Sequence, residues 1–303
     1  MFLEAWSFRS EGIRRLKQRL DTLLVDLNLC SSRQEAQRLI RAGEVRVNQQ
    51  VVDKPGTEIE TTAQIQIKEK SPYVSRGGEK LAKALEEFEI PVQGRICLDG
   101  GISTGGFTDC LLQAGAKRVY GVDVGYGQVA WSLRNDERVV LRERTNLRHL
   151  QPADLYGNSL PLASPYQEGE IEEGVYANLG VVDVSFISLT KILKALWNLL
   201  QTPREVVLLV KPQFEVGRER VGRKGVVRDS NDHADAILQV LEAAQNLGWA
   251  YKGLTWSPLT GPAGNIEYLL WLGMESQTSP PDLDALKQIT QTAQRELAKS
   301  KLL

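Results

Sequence analysis

The stretch 95-RICLDGGISTGGF-107 decides the fold. Residues 96 to 99 read as a short apolar strand, and glycines at 100, 101, 105 and 106 turn the chain into the helical run 107-FTDCLLQAG-115. Strand, glycine-rich turn and helix form the first half of a βαβ unit. Working outward, apolar and β-branched runs recur at 118-RVYGVDVG-125, 139-VVLRERT-145, 181-VVDVS-185 and 205-EVVLLVKP-212. Helical stretches such as 191-KILKALWNLL-200 and 233-HADAILQVLEAAQNLG-248 separate them. The pattern predicts an α/β fold with a mostly parallel sheet and helices on both faces. The runs 253-GLTWSP-258 and 265-NIEYLLWLGM-274 then close the sheet as an antiparallel hairpin. Residues 157–177, GNSLPLASPYQEGEIEEGVYA, read as a polar insertion between strands, and the C-terminal DLDALKQITQTAQRELAKSK as a terminal helix.

Upstream lies a different kind of sequence. The segment 19-RLDTLLVDLNL-29 puts Leu20, Leu23, Leu24 and Leu27 at helical spacing. The next, 31-SSRQEAQRLIRAG-43, begins with an N-cap serine, has Glu35 three residues after Ser32 as in a capping box, and ends at Gly43. Alternation in 44-EVRVNQQVV-52 and 64-QIQIK-68 adds a small sheet. Between residues 9 and 46 there are nine basic and five acidic side chains, although the whole chain of 303 residues has a net charge of −1. A second basic cluster, Arg218, Arg220, Arg223, Lys224 and Arg228, sits in a glycine-punctuated stretch expected to be a mobile loop. Local basic patches on a near-neutral protein suit a polyanionic partner.

Composition excludes several classes. With 42% hydrophobic and 25% charged residues and no long apolar run, a membrane span is not expected. The N-terminal MFLEAWSFRSEGIRRLKQRL carries charges where a signal peptide needs an apolar core, so a cytoplasmic location is expected. Three widely spaced cysteines and two histidines fit neither a disulfide framework nor a metal site. Nothing demands a dimer, and a monomer is expected.

In a parallel sheet the ligand crevice lies at the carboxyl ends of the strands. Those ends carry Asp99, Asp123, Asp183 and Lys211. A carboxylate at Asp99, just before the glycine turn, would repel the pyrophosphate of a nicotinamide dinucleotide at the helix N-terminus, which disfavours a dehydrogenase. A cationic ligand without phosphate, S-adenosylmethionine, fits better, with Asp99 helping to hold its amino-acid end. Gly101, Ser103, Thr104, Gly105, Gly106 and Phe107 would let the backbone approach it, Asp123 would accept from its ribose hydroxyls and Asn146 would meet its adenine edge.

The N-terminal segment resembles the alpha-L RNA-binding domain, through Arg19-Leu20-Asp21, Ser32-Arg33-Gln34-Glu35-Ala36 and 40-IRAGEVRVN-48. The whole chain from about Lys17 to Leu272 resembles the TlyA, or hemolysin-like, family, through 73-YVSRGGEKL-81, 99-DGGISTGGF-107, 122-VDVGYGQVAWSLRND-136, 183-DVSFISL-189, 210-VKPQFEVG-217 and 264-GNIEYLLWL-272. That resemblance implies a ribosomal-RNA 2′-O-methyltransferase acting on a cytidine, with a Rossmann-like class I methyltransferase fold on a seven-stranded sheet. It implies an N-terminal extension (1–16), an RNA-binding domain (17–70), a linker (71–78), an FtsJ-type methyltransferase domain (79–276) and a C-terminal helix (277–303). The RNA contacts expected are Arg19, Arg33, Arg41 and Arg46 in the first domain, with Arg218, Arg220, Arg223 and Lys224 in the basic loop. The family commonly has alanine where this chain has Gly100 and Ile102, and the bulk of Ile102 is expected to trim the cofactor pocket.

The catalytic set implied is Lys80, Asp183, Lys211 and Glu267. A ribose 2′-hydroxyl is a poor nucleophile, so methyl transfer needs a base and an in-line approach. Lys211 would be that base if a second cation, Lys80, and partial burial held it neutral. Asp183 would orient Lys211, and Glu267 would position Lys80 or the ribose. Phe186 is a candidate to stack on a base, while Trp131, Trp197 and Trp256 read as core or helix-face residues and Lys83 as surface. The competing readings are an RNA-binding ribosome-assembly factor with a vestigial catalytic domain and a membrane-lytic hemolysin, the latter without a spanning segment to support it.

Overall fold

The structure, a computed structural model, describes residues 16–67, 71–157 and 176–299. Arg9, Arg14 and Arg15, the acidic run 167–173 and nearly all of the polar insertion lie outside the described residues. The chain divides into two compact units, residues 1–70 and 71–303.

The first unit holds β1 (Lys17–Arg19), α1 (Leu20–Asp26), α2 (Arg33–Arg41), β2 (Val45–Val47), β3 (Gln50–Val51), β4 (Glu58–Glu60) and β5 (Ile65–Ile67). Strands β3, β2 and β5 form the expected small sheet; the antiparallel β1–β4 pair leaves no alternation in the sequence and was not expected. Leu20, Leu24, Ala36, Ile40 and Val45 form its fully buried core. Leu27 departs from the expected apolar stripe and is 47% exposed, because α1 ends at Asp26 and Leu27 is its C-cap. Ser32 caps α2 by accepting from the Glu35 N–H at 3.2 Å. Glu35 does not complete the capping box on Ser32 but accepts from the N–H and hydroxyl of Ser31, at 2.9 and 2.6 Å.

Asp21 organises this unit. It is fully buried and accepts from Arg19 Nε and Nη2 at 3.1 and 3.0 Å, from Arg33 Nε at 3.0 Å and from Gln37 Nε2 at 2.8 Å. The bonded Arg19 guanidinium, opposed by burial and helped by Gln37 and Arg33, holds its carboxyl well below the usual range. One carboxylate thus ties together β1, α1 and α2, and fixes two of the arginines expected to meet RNA.

The second unit comprises α3 (Gly77–Glu87), β6 (Ile96–Gly100), α4 (Gly106–Gln113), β7 (Arg118–Val122), α5 (Trp131–Arg134), β8 (Val139–Arg142), α6 (Pro152–Tyr156), β9 (Leu179–Val182), α7 (Leu193–Leu199), β10 (Glu205–Val210), α8 (Pro212–Glu215), α9 (Ser230–Gln245), β11 (Ala250–Trp256), β12 (Tyr268–Gly273) and α10 (Leu283–Lys299). Seven strands form one sheet in the order β11-β12-β10-β9-β6-β7-β8, with β12 alone antiparallel to its neighbours. Alternate strand residues face two cores. Leu98, Leu208 and Leu270 pack with α7, α9 and α10, while Cys97, Val207 and Leu209 pack with α3 and α4. Burial on both faces explains why these strands read as continuous apolar runs.

Residues 71–78, expected as a linker, are bonded into the second unit. The Val74 N–H donates to Asp109 Oδ2 at 2.7 Å, and Gln113 Nε2 donates to the Pro72 carbonyl at 2.9 Å. A Cβ on Gly78 would stand 2.2 Å from the Tyr73 ring, so the glycine lets this stretch fold back on α3. Cys30, Cys97 and Cys110 are free and buried. Among the described residues no helix is long and apolar enough to cross a membrane.

Asp21→Ala is expected to destabilise the first unit by about 1–3 kcal/mol. Hydrogen exchange should quicken in α1 and α2 while the seven-stranded sheet keeps its protection; unchanged exchange in α1 and α2 would mean the carboxylate network does not hold them.

Candidate active site

The chain reverses its direction across the sheet at β6, whose neighbours are β7 on one side and β9 on the other. A crevice opens there at the carboxyl ends. Gly101, with φ of +88°, lies so near the β9 loop that a Cβ would stand 2.4 Å from the Asp183 carbonyl oxygen. Only glycine lets these two strand ends meet.

Three cavities share walls at this point. The first, about 520 Å³, is lined by Gly101, Ser103, Asp123, Gln128, Asn146 and Phe186 among others. A second, about 210 Å³, shares Gly101, Ser103 and Asp183 with it and adds Ser75, Lys80, Thr104, Gly106 and Phe107. The third, about 350 Å³, shares Ser185 and Phe186 with the first and is lined by Lys211, Phe214, Lys224 and Glu267.

Asp123 leaves β7 with its carboxylate already anchored: Oδ2 accepts from the Ser103 N–H at 2.8 Å and Oδ1 from the Gly125 N–H at 2.7 Å. Each oxygen keeps acceptor capacity for a vicinal diol in the first cavity. Asn146 Oδ1 accepts from the Arg148 N–H at 3.0 Å, so its Nδ2 is the group it can offer a base edge. Gly105 lines none of these three cavities. It packs against Leu133, where a Cβ would meet Cδ1 at 2.3 Å.

Asp99 differs from its expected place. It is one residue short of the end of β6, so its side chain stands on the sheet face covered by α4, is fully buried, and accepts from Thr108 Oγ1 at 2.6 Å. Burial pushes its carboxyl up to about 7. It supports the glycine turn from below and does not line the cavities. Buried there, Asp99 does not face the site a dinucleotide pyrophosphate would occupy and does not repel it as expected. Ile102 is also mostly core: it is 3% exposed, and its Cδ1 would stand 2.4 Å from a Cβ on Gly121, although it still borders the second cavity.

The four polar side chains expected to act together form two ion pairs. Lys80 on α3 meets Glu267, just before β12, at 2.5 Å, with both side chains largely buried. Lys211, immediately after β10, stands 2.6 Å from Asp183 Oδ1, just past β9, and donates to Ser185 Oγ at 2.9 Å. The Lys211–Asp183 approach lacks the direction of a hydrogen bond and is an electrostatic contact. Each lysine thus faces the carboxylate expected to orient it, Asp183 for Lys211 and Glu267 for Lys80. The part played by Ser185 was not seen in the sequence; its position two residues after Asp183 was the available signal.

The basic residues divide. Arg41 and Arg46 are exposed, and Arg19 and Arg33 are about half exposed while tied to Asp21. In the second unit Arg220 bridges Asp232 and Asp235 of α9 at 3.2 and 2.6 Å. Arg218, Arg223 and Lys224 are exposed and pair with no carboxylate among the described residues. Asn265 binds the Val227 N–H and the Gly225 carbonyl, so this loop is held at both 220 and 225–227 where a mobile loop was expected. Lys83 donates to the Trp256 carbonyl at 2.8 Å and lies over its ring, while Trp131 is 79% exposed and belongs to no core.

A seven-stranded sheet with one antiparallel strand, a glycine turn at its switch point, an anchored carboxylate just past β7 and two lysine–carboxylate pairs suit a methyltransferase with a nucleoside cofactor. The chain belongs to the FtsJ-like methyltransferase family, which matches residues 73–274, and an S4 domain matches residues 18–65. It is 47% identical over 258 residues to the 16S/23S rRNA (cytidine-2′-O)-methyltransferase TlyA of Mycobacterium tuberculosis, covering 84% of this chain and 90% of that one. It is 45% identical over 291 residues to YqxC of Bacillus subtilis, provisionally named an rRNA methyltransferase, covering 94% and 97%. A solved structure from Streptococcus thermophilus that carries a hemolysin label is 40% identical, with a TM-score of 0.69 over 95% of this chain and all of that one.

The cofactor of this family is S-adenosylmethionine, and the residues present fit it. Asp123 would take the ribose hydroxyls and Asn146 the adenine edge. The cradle at Gly101, which a Cβ would fill, leads into the second cavity, where Ser103 and Thr104 would meet the amino-acid end.

Asp123→Ala is expected to weaken S-adenosylmethionine binding about ten- to hundredfold by titration calorimetry; unchanged affinity would remove Asp123 from the cofactor site. Asp99 carries a carboxyl raised by folding from 3.8 to about 7, so its contribution favours the fold at low pH and is lost as pH rises from about 4 through 7. Asp99→Asn should lose less stability than the parent between pH 5 and pH 8 in urea unfolding; equal losses would contradict the placement.

Proposed function

We propose that this chain is an S-adenosylmethionine-dependent ribosomal-RNA 2′-O-methyltransferase that acts on a cytidine ribose. The observation that carries the reading is Lys211 Nζ, held 2.6 Å from Asp183 where the nucleoside cavity and the Glu267 cavity meet. The names of the M. tuberculosis and B. subtilis relatives support the substrate class, and the first unit's exposed arginines suit phosphate contacts that give affinity and register. Lys224, which lines the third cavity, with Arg218 and Arg223 of the same loop, would hold RNA beside the reacting ribose. All four catalytic side chains come from one chain, and a monomer inside the cell is the active unit proposed.

S-adenosylmethionine, when bound, supplies an electrophilic methyl on a sulfonium. The chain does the rest. The 2′-hydroxyl enters the third cavity, and Lys211 Nζ, as the amine, takes its proton while Asp183 holds the side chain in place. Glu267, which lines the third cavity, fixes Lys80 on the wall of the second, so the ammonium is presented in one position. The glycine turn and the β9 loop close together at Gly101 and set the line of approach between the two cavities.

Lys211→Ala is expected to lower methyl transfer to unmodified ribosomal subunits by at least about a hundredfold, with calorimetric cofactor affinity kept within about threefold. Near-normal turnover in this variant would remove Lys211 as the base. Cofactor binding by the parent with no transfer to any ribosomal particle or free rRNA would favour the assembly-factor reading.

A further inference from the structure

The loop after β9, 183-DVSFIS-188, returns twice to the segment after β10. Its first return is Ser185, whose Oγ accepts from Lys211 Nζ at 2.9 Å. The second is at Ser188 and Leu189. Ser188 Oγ donates to Glu215 Oε2 at 2.6 Å, and the Leu189 N–H donates to Glu215 Oε1 at 2.9 Å. Glu215 is 8% exposed, so both oxygens of a buried carboxyl are committed to one loop. Such a group is costly to bury unless those bonds persist. Lys211 and Glu215 are the N-cap and last residue of α8, a single turn opened by Pro212. Between the two anchor points Phe186 sits at φ of +65°, a conformation that a bulky residue keeps only when its surroundings impose it.

We propose that Ser185, held in place by Glu215 through Ser188, is a positioning residue that aims the lone pair of Lys211 at the ribose hydroxyl. The inference rests on Lys211 being the base. Asp183 attracts Nζ without the geometry of a hydrogen bond, so among the described residues Ser185 makes the directional contact. A tetrahedral nitrogen has four directions. Cε takes one, Ser185 Oγ a second and the Asp183 side a third. With one N–H committed to Ser185 Oγ, rotation about Cε–Nζ is fixed, and the lone pair can be turned to the cavity that Lys211 lines with Glu267 and Phe186. Proton transfer breaks the ribose O–H and forms the third N–H bond there. Without Ser185 the amine is free to rotate about Cε–Nζ, and the population aimed at the acceptor falls.

The test is steady-state methyl transfer to unmodified ribosomal subunits, with cofactor and RNA varied separately, for Ser185→Ala, Ser185→Thr, Glu215→Ala, Glu215→Gln and Lys211→Ala. Ser185→Ala should lower kcat about ten- to hundredfold with both KM values within about threefold. Ser185→Thr, which keeps an oxygen at the same place, should recover most of the loss, and Glu215→Gln should retain more kcat than Glu215→Ala. The proposal is overturned if Lys211→Ala is inactive while Ser185→Ala keeps kcat within about twofold of the parent. It is equally overturned if the loss appears in KM alone or if threonine rescues nothing. Activity retained in Lys211→Ala would instead overturn the reading on which the proposal rests.

Discussion

Two neighbouring parallel strands, β9 and β10, each end one residue before a charged group, Asp183 and Lys211, and the rest of the site is arranged around their 2.6 Å approach. Val182 lies beside Leu208 in the ladder, so Lys211 leaves its strand two residues beyond the level of Asp183, and the lysine side chain closes that offset. A like pair of charges there would repel at the edge of the core; an opposite pair also sets a side chain direction. The same strand ends carry the β9 loop to Gly101, and with it the boundary between the nucleoside cavity and the acceptor cavity.

Support for this approach comes from below and from the side. Asp99 props the glycine turn through Thr108, and Asp123 fixes the same turn through the Ser103 N–H. Glu215 pins the far end of the β9 loop. Lys80 and Glu267 form a second, nearly buried pair contributed by α3 and the start of β12. Each of these carboxyls either partners a cation or accepts from fixed donors, which is what allows so many acidic groups near one crevice.

Much of this was legible in the sequence, because strand ends in a parallel sheet are predictable from apolar runs. Asp123, Asp183, Lys211 and the glycine turn could be placed from the runs that precede them. Asp99 was misplaced by one residue: the strand continues to Gly100, and a shift of one position in a strand exchanges the crevice for the covered face. The stretch 71–78 read as a linker because its bonds to Asp109 and Gln113 cross more than thirty residues. Ser185 was legible only by its place in the loop after Asp183, and Glu215 carried no signal of its own, since their partners lie on a neighbouring element 26 or 27 residues away. In the first unit the arginine pattern was plain, but not that a buried Asp21 holds two of them.

The central claim is that this crevice directs methyl transfer to a ribose oxygen. Unmodified ribosomal subunits incubated with the protein and labelled S-adenosylmethionine, then digested to nucleosides and resolved by mass spectrometry, test it most directly. The account predicts the label in 2′-O-methylcytidine. Label on a nucleobase, or on no ribosomal RNA at all, would contradict it.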